Sequence, residues 1–271
     1  MEAIGLIAGK SEYPILFAKT AKAKGFKVVA VAIEGEAKKE LESFVDKLYW
    51  IKLGEFKELL DIFKNESIKK AVMAGGITKS RLFKEPLKID DEMKAILSKA
   101  LDKKDETLLK AISSKLNSAG IELLDSTLFL EELLAKEGVL TKTKPSPSEE
   151  EDIRFGFAIA KEVASLDIGL SIVVKDKAVI AVEGIEGTDA MIIRGGELTD
   201  AGTTIIKVAR PNQDMRFDIP VIGPRTIRSM IKAKATCLAV EAGKTLIIDK
   251  TETISLAEEH HISIIATKGR F

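Results

Sequence analysis

Two short segments of this chain hold residue types that could handle a phosphorylated substrate: Glu183-Gly-Ile-Glu-Gly-Thr-Asp189 and Lys207-Val-Ala-Arg-Pro-Asn-Gln-Asp-Met-Arg-Phe-Asp218. Carboxylates hold a divalent cation or orient a water, and Lys and Arg neutralise a diphosphate. In the first segment Glu183 and Glu186 flank Gly184, so a sharp turn could aim both acids one way. Gly187-Thr188 opens a helical pattern, and Asp189 is either its N-terminal cap or a metal ligand. In the second segment Asp214, Arg216 and Asp218 alternate, so an extended chain would place all three on one face. Pro211 and Pro220 bracket them and oppose a helix. An ion-pair network that only holds the fold is the competing reading of that triplet. Arg194, Lys207 and Arg210 add cations, Gln213 precedes Asp214, and Ile222-Gly-Pro-Arg-Thr226 opens a helix whose N-terminus could face an anion.

Each segment follows a strand-like apolar run, residues 178–182 and 203–208. The polar residues therefore belong at strand ends, where backbone is firmly held. The first half of the chain alternates strand and helix: strands at 3–8, 27–33, 44–51, 70–74 and 121–124, helices at 14–24, 55–64, 90–115 and 128–137. Repeated β-α units with short connections imply an α/β fold with a parallel, doubly wound sheet. Residues 141–148, with Pro145 and Pro147 among small polar residues, read as an extended linker. Ser148 ahead of Glu149, Glu150 and Glu151 reads as a helix cap for 149–165. The second half is richer in strands (171–174, 178–182, 203–208, 237–240, 245–248, 263–266), with a tight hairpin at Asp176-Lys177 and helices at 188–194 and 225–234. The expected organisation is a nucleotide-binding domain at 1–140, a linker at 141–148 and a second α/β or α+β domain at 149–271.

A third candidate is the turn Gly5-Leu-Ile-Ala-Gly9-Lys10-Ser11 between the first strand and the helix opened by Pro14. Glycines let backbone approach a phosphate, and a helix N-terminus and Lys10 add positive charge. The P-loop spacing is short by one residue, and the dinucleotide pattern lacks its middle glycine. A nucleotide or phosphate site is expected there, with a ligand-free strand-to-helix turn as the alternative. Gly75-Gly76 closes another strand near the same sheet edge.

Lys plus Arg and Asp plus Glu are both 42, so no basic excess points to nucleic acid. One cysteine, Cys237, rules out a disulfide framework and reads as a core thiol; the adjacent His260 and His261 diverge too far to pair on a metal. Met1-Glu-Ala-Ile-Gly lacks the basic opening of a secretory signal, and no apolar run approaches the ~20 residues of a membrane span, so a cytoplasmic protein is expected.

The chain resembles the UDP-2,3-diacylglucosamine pyrophosphatases of the LpxI type over its full length. Gly5 to Gly9 with Pro14, residues 181–190 with Arg194, Lys207, residues 211–220, and Ile222-Gly223 with Thr226 carry the likeness, as do Asp152-Ile153 with Gly156 and residues 166–169. The resemblance implies a Rossmann-like N-terminal domain and a C-terminal domain peculiar to the family. It implies Mg²⁺-dependent hydrolysis of UDP-2,3-diacylglucosamine to UMP and 2,3-diacylglucosamine 1-phosphate in lipid A synthesis, with water attacking the uridine-side phosphorus. The catalytic aspartate carries onto Asp214, with Asp189 and Arg216 as further catalytic candidates and Asp214, Asp218 and Asp189 as metal ligands. Gly5, Gly9, Lys10, Ser11, Pro14, Gly75, Glu186, Gly187, Thr188, Arg194, Lys207, Gln213 and Thr226 are then the substrate-binding candidates. Gly169-Leu-Ser-Ile, where relatives show Gly-Gln-Ala-Val, and Lys10-Ser11 depart from the pattern without touching an acid. Peripheral membrane contact and a homodimer are compatible with such a substrate. A non-catalytic nucleotide-binding module and a nicotinamide oxidoreductase are the competing classes.

Overall fold

A computed structural model describes residues 1–78, 81, 88–99 and 105–270. By contact the chain forms two units: Met1–Glu131 with Asp214–Asp218, and Glu132–Gln213 with Ile219–Phe271. The division thus falls ahead of the expected 141–148 linker. A short arm from the second half of the sequence belongs to the first unit.

In the first unit, β1 (Ala3–Ala8), β2 (Lys27–Ile33), β3 (Lys47–Ile51), β4 (Lys70–Ala74) and β5 (Glu122–Leu123) form one parallel sheet in the order β3-β2-β1-β4-β5. β1 and β2 are almost wholly buried, as continuous apolar runs covered on both faces must be. Helices Tyr13–Ala23, Phe56–Asn65, Asp91–Lys99 and Asp105–Ser118 complete the α/β layers. The expected helix at 90–115 matches the last two, while residues 100–104 lie outside the described part. The strand order reverses at β1, so this Rossmann-like arrangement has its switch point at the C-terminal end of β1, where the Gly9 turn sits.

The second unit holds a six-stranded sheet in the order β6-β13-β11-β9-β7-β8. Its strands are β6 (Gly138–Val139), β7 (Ser171–Lys175), β8 (Ala178–Val182), β9 (Thr204–Lys207), β11 (Cys237–Glu241) and β13 (Ser263–Thr267). β9, β11 and β13 run parallel and the rest antiparallel; β10 (Val221–Ile222) and β12 (Leu246–Ile247) pair separately. Alternate residues serve opposite faces. Val173, Ile205, Leu238 and Ile264 pack with Met191, Ile227, Met230 and Ala257 from helices Thr188–Thr199, Pro224–Lys232 and Lys250–Glu259. Ile172, Val174, Ile206 and Cys237 pack instead with Ile153, Phe157 and Ala160 of helix Pro147–Ser165. The fold class is therefore α/β in both units.

Several local expectations change. The helix at 128–137 is only a 3-10 turn, Glu131–Leu133, followed by β6. Phe129 has φ 71°, which a continuing helix does not tolerate, and its ring stacks on Phe17. The cap of Pro147–Ser165 is Ser146 rather than Ser148: Ser146 Oγ accepts from the Glu149 amide, and Glu149 accepts from the Ser146 amide. Pro147 at the first helical position fixes that start. Helix Lys250–Glu259 was not foreseen. Asp176 and Lys177 both have positive φ, as a two-residue hairpin turn between β7 and β8 requires. Cys237 is fully buried, and burial pushes its thiol up to about 12. Among the described residues no helix is long and apolar enough to cross a membrane.

Candidate active site

The glycine turn is a backbone joint. Gly9 N donates to Ala74 O at 2.9 Å and Lys10 N to Gly76 O at 2.7 Å. The amides expected to meet a phosphate are thus bonded to the end of β4. A Cβ on Gly9 would overlap the Gly76 carbonyl oxygen, and one on Gly75, at φ 77°, the Lys10 carbonyl oxygen. Gly5 makes room for Phe63 and Ile68 instead of a ligand. Ser11 Oγ accepts from the Tyr13 amide at 3.2 Å, and Pro14 is buried in the first helical turn. The Tyr13 hydroxyl donates to the Ser126 carbonyl.

The first acid-rich segment runs from the end of β8 to helix Thr188–Thr199. Lys207 closes β9 and is only 5% exposed. Its Nζ donates to Thr188 Oγ1 at 2.8 Å and to Ser171 Oγ at 3.2 Å. Thr188 in turn donates to Glu183 at 2.8 Å, and the Leu170 amide donates to the other Glu183 oxygen at 3.3 Å. Burial works against the Glu183 charge. The Lys207 cation and hydrogen bonds from Ser171, Thr188 and Leu170 outweigh it and hold the carboxyl below its ordinary value. Glu186 turns outward, accepting from Arg194 at 2.6 Å and from the Gly184 amide at 3.1 Å. Gly187, at φ 83°, caps the helix with no side chain. Asp189 pairs with Arg225 at 2.6 Å and accepts from Ser229 at 3.2 Å, tying its helix to Pro224–Lys232, where Thr226 is buried in the first turn. Thr188, Lys207 and Glu183 are thus brought together, and Asp189 is engaged elsewhere.

The second segment begins with Arg210, which donates to Asp167 at 2.5 and 2.9 Å while both are nearly fully buried. Gln213 accepts from the Arg210 amide at 3.2 Å. From Asp214 the chain enters the first unit. It does so in turns, so the shared face expected of an extended strand is not formed. Two contacts hold the arm. Phe217 is buried in the first unit's core, and the Met215 carbonyl accepts from both the amide and the hydroxyl of Ser126 at 2.8 and 2.7 Å. Arg216 closes back on Asp214 through Nε (2.9 Å) and a terminal nitrogen (2.7 Å), and reaches Ser113 at 2.8 Å. The guanidinium beside Asp214 holds that carboxyl below its ordinary value. Asp218 has φ 50°.

Sequence reasoning missed Ser171, Asp167, Ser126 and Ser113. None lies in a charged cluster, so only the three-dimensional pairing reveals them. Glu241 was missed too, though a signal existed. Like Lys207, it is a charge closing an apolar strand. It accepts from Lys161 at 2.8 Å and from the Ala209 amide at 2.9 Å.

Among the described residues no three His, Cys, Asp or Glu side chains come together as a metal-holding group. Asp214 faces Arg216 and Asp189 faces Arg225, so the protein alone presents no resident cage for Mg²⁺.

Residues 3–133 match the model of the LpxI N-terminal domain, and residues 136–265 that of the LpxI C-terminal domain. The chain is 28% identical over 269 residues to the UDP-2,3-diacylglucosamine pyrophosphatase LpxI of Caulobacter vibrioides, covering 96% of this chain and 95% of that one. Similar solved structures are distant. The biotin carboxylase domain of Hydrogenobacter thermophilus 2-oxoglutarate carboxylase matches 65% of this chain and 35% of its own at TM-score 0.28 and 14% identity. The N5-carboxyaminoimidazole ribonucleotide synthetase of Thermotoga maritima matches 68% and 42% at TM-score 0.24 and 17% identity. This chain spans less than half of either, and scores so low carry nothing about function. The two domain models of one family, by contrast, account in order for nearly the whole chain, which belongs to the LpxI family.

Proposed function

We propose that this chain hydrolyses UDP-2,3-diacylglucosamine to UMP and 2,3-diacylglucosamine 1-phosphate, with water attacking the uridine-side phosphorus. The observation that carries the reading is the match of both domains to LpxI models, together with the full-length relative named for that activity. The reacting residues are Asp214 and Arg216. Arg216 keeps Asp214 ionised at neutral pH, so the carboxylate is a weak base. It acts by its charge, orienting the attacking water or holding a cation. Lys207 and Thr188 take phosphate oxygens. Two of the three Lys207 N–H donors serve Ser171 and Thr188, which fix the ammonium in place. Arg194 adds a more exposed cation.

Mg²⁺ is part of the proposal as an ion arriving with the substrate, because a site completed by phosphate oxygens needs only one or two protein carboxylates. Asp214, with Asp218 in the same arm, would supply them. When bound, the ion would stabilise charge developing on the phosphoryl oxygens.

The test is a mass-spectrometric product assay in water enriched in oxygen-18, with and without Mg²⁺. Label in UMP is the expected result. Label in the lipid phosphate would reverse the direction of attack. No turnover by folded protein with any divalent ion would reject the activity.

A further inference from the structure

The helix Asp105–Ser118 turns a polar face toward Arg216. Lys110, Ser113, Ser114, Asn117 and Ser118 line, with Arg216, an open depression of about 470 Å³. The lining is one-sided in its chemistry. This chain has as many acids as bases, yet no carboxylate lines the depression, and residues 107–118 contain none. Asp214, the nearby acid, is turned onto Arg216. What remains is donors. The bonds to Asp214 and Ser113 use three of the five Arg216 N–H groups. Lys110 is close enough that its charge also helps keep Asp214 ionised. Ser114 and Asn117 are exposed beside it. Two fixed cations with hydroxyl and carboxamide donors, and no competing acid, match a dianion with several acceptor oxygens.

We propose that this depression is an anion subsite that takes the phosphate of a phosphomonoester. The identity of that phosphate rests on the reading above, in which both products are phosphomonoesters and Asp214 marks the reacting centre. The binding of the anion itself does not.

The probe is inorganic phosphate, titrated into the full-length protein and followed by the thermal unfolding midpoint and by phosphorus NMR line width. Saturable binding is expected in the wild type. Lys110→Ser should weaken it about tenfold, the effect of losing one charge-assisted hydrogen bond. Asn117→Asp places a carboxylate among the donors and should abolish it. Both positions are exposed, so both variants should fold, and circular dichroism checks that they do. A turnover arm with UDP-2,3-diacylglucosamine should show a raised KM in both variants, with product UMP or sugar 1-phosphate competing with inorganic phosphate. Phosphate binding that is unchanged in both variants, or unsaturable in the wild type, overturns the subsite. If the variants lose phosphate binding while the wild type turns over nothing, the subsite stands and the proposed function falls. If they lose it and turnover is unaltered, the assignment to the reacting phosphate is overturned.

Discussion

Asp214 in the first unit and Glu183 in the second each sit near a cation that keeps them ionised, but the cation arrives by different routes. Arg216 reaches Asp214 from two residues along the same turn. Lys207 acts on Glu183 through Thr188, across the antiparallel pairing of β7 with β9 and the start of a helix. The first pair is local and partly exposed: its side chains are 35% and 21% accessible. The second depends on three segments meeting around a buried ammonium. A local pair leaves the chain free to place its carboxylate without endangering the fold. A non-local pair is part of what holds the unit together. Substitution at the first should therefore register in chemistry and at the second in stability.

The largest expected effect follows from the local pair. Asp214→Ala should lower turnover of UDP-2,3-diacylglucosamine about 100-fold or more, the size seen when one preorganised electrostatic group is lost at a reacting centre. Its urea unfolding midpoint should stay near wild type, because Phe217 and the Ser126 contacts still hold the arm. Near-normal turnover would remove Asp214 from the reaction. A large fall in stability would dissolve the contrast between the two regions.

Stability is the expected readout in the second region. Lys207→Met removes the donor shared by Ser171 and Thr188 and leaves Glu183 without its cation, which should cost about 2–3 kcal/mol in urea unfolding at neutral pH. The pH dependence has a definite sign. The folded state holds Glu183 below its ordinary value of 4.5. Its contribution is therefore full above pH 4.5 and is lost as pH falls through the lower folded value. Glu183→Gln should flatten that acid limb relative to wild type. An identical acid limb in the two proteins would mean that Lys207 does not act on Glu183.

The contrast between local and non-local contacts also explains what the sequence disclosed. β1, β2 and β4 were legible because a buried parallel strand must be continuously apolar, and the hairpin at Asp176-Lys177 because its dipeptide suits left-handed backbone. Thr188 and Lys207 were legible as candidates because a lysine closing a strand and a threonine opening a helix are unusual enough to notice. Their partner Ser171 was not, since a serine inside an apolar run carries no sign of what faces it. The arm was misread for a related reason. The alternation of Asp214, Arg216 and Asp218 satisfies a strand pattern, but burial of Phe217 in the first unit and the Ser126 clamp select turns instead. The Gly9 turn was read as a phosphate cradle because glycine spacing reports only close approach. The approaching group is the backbone at Gly76.

The smallest expected effect separates Asp189 from Asp214, which the sequence could not rank. Asp189 is paired with Arg225, a residue whose side chain is 76% accessible, and with Ser229 on the same helix. Exposed ion pairs of this kind contribute roughly 0.2–1 kcal/mol, less in salt. Asp189→Asn keeps a side-chain oxygen for Ser229 and loses only the charge. Its unfolding free energy should fall by less than about 1 kcal/mol, and the deficit should shrink as salt is raised. Turnover should stay near wild type if the helix tie is its whole role. A loss as deep as that expected for Asp214→Ala, with stability unchanged, would instead make Asp189 a second reacting carboxylate. The second unit would then contribute chemistry as well as its buried lysine.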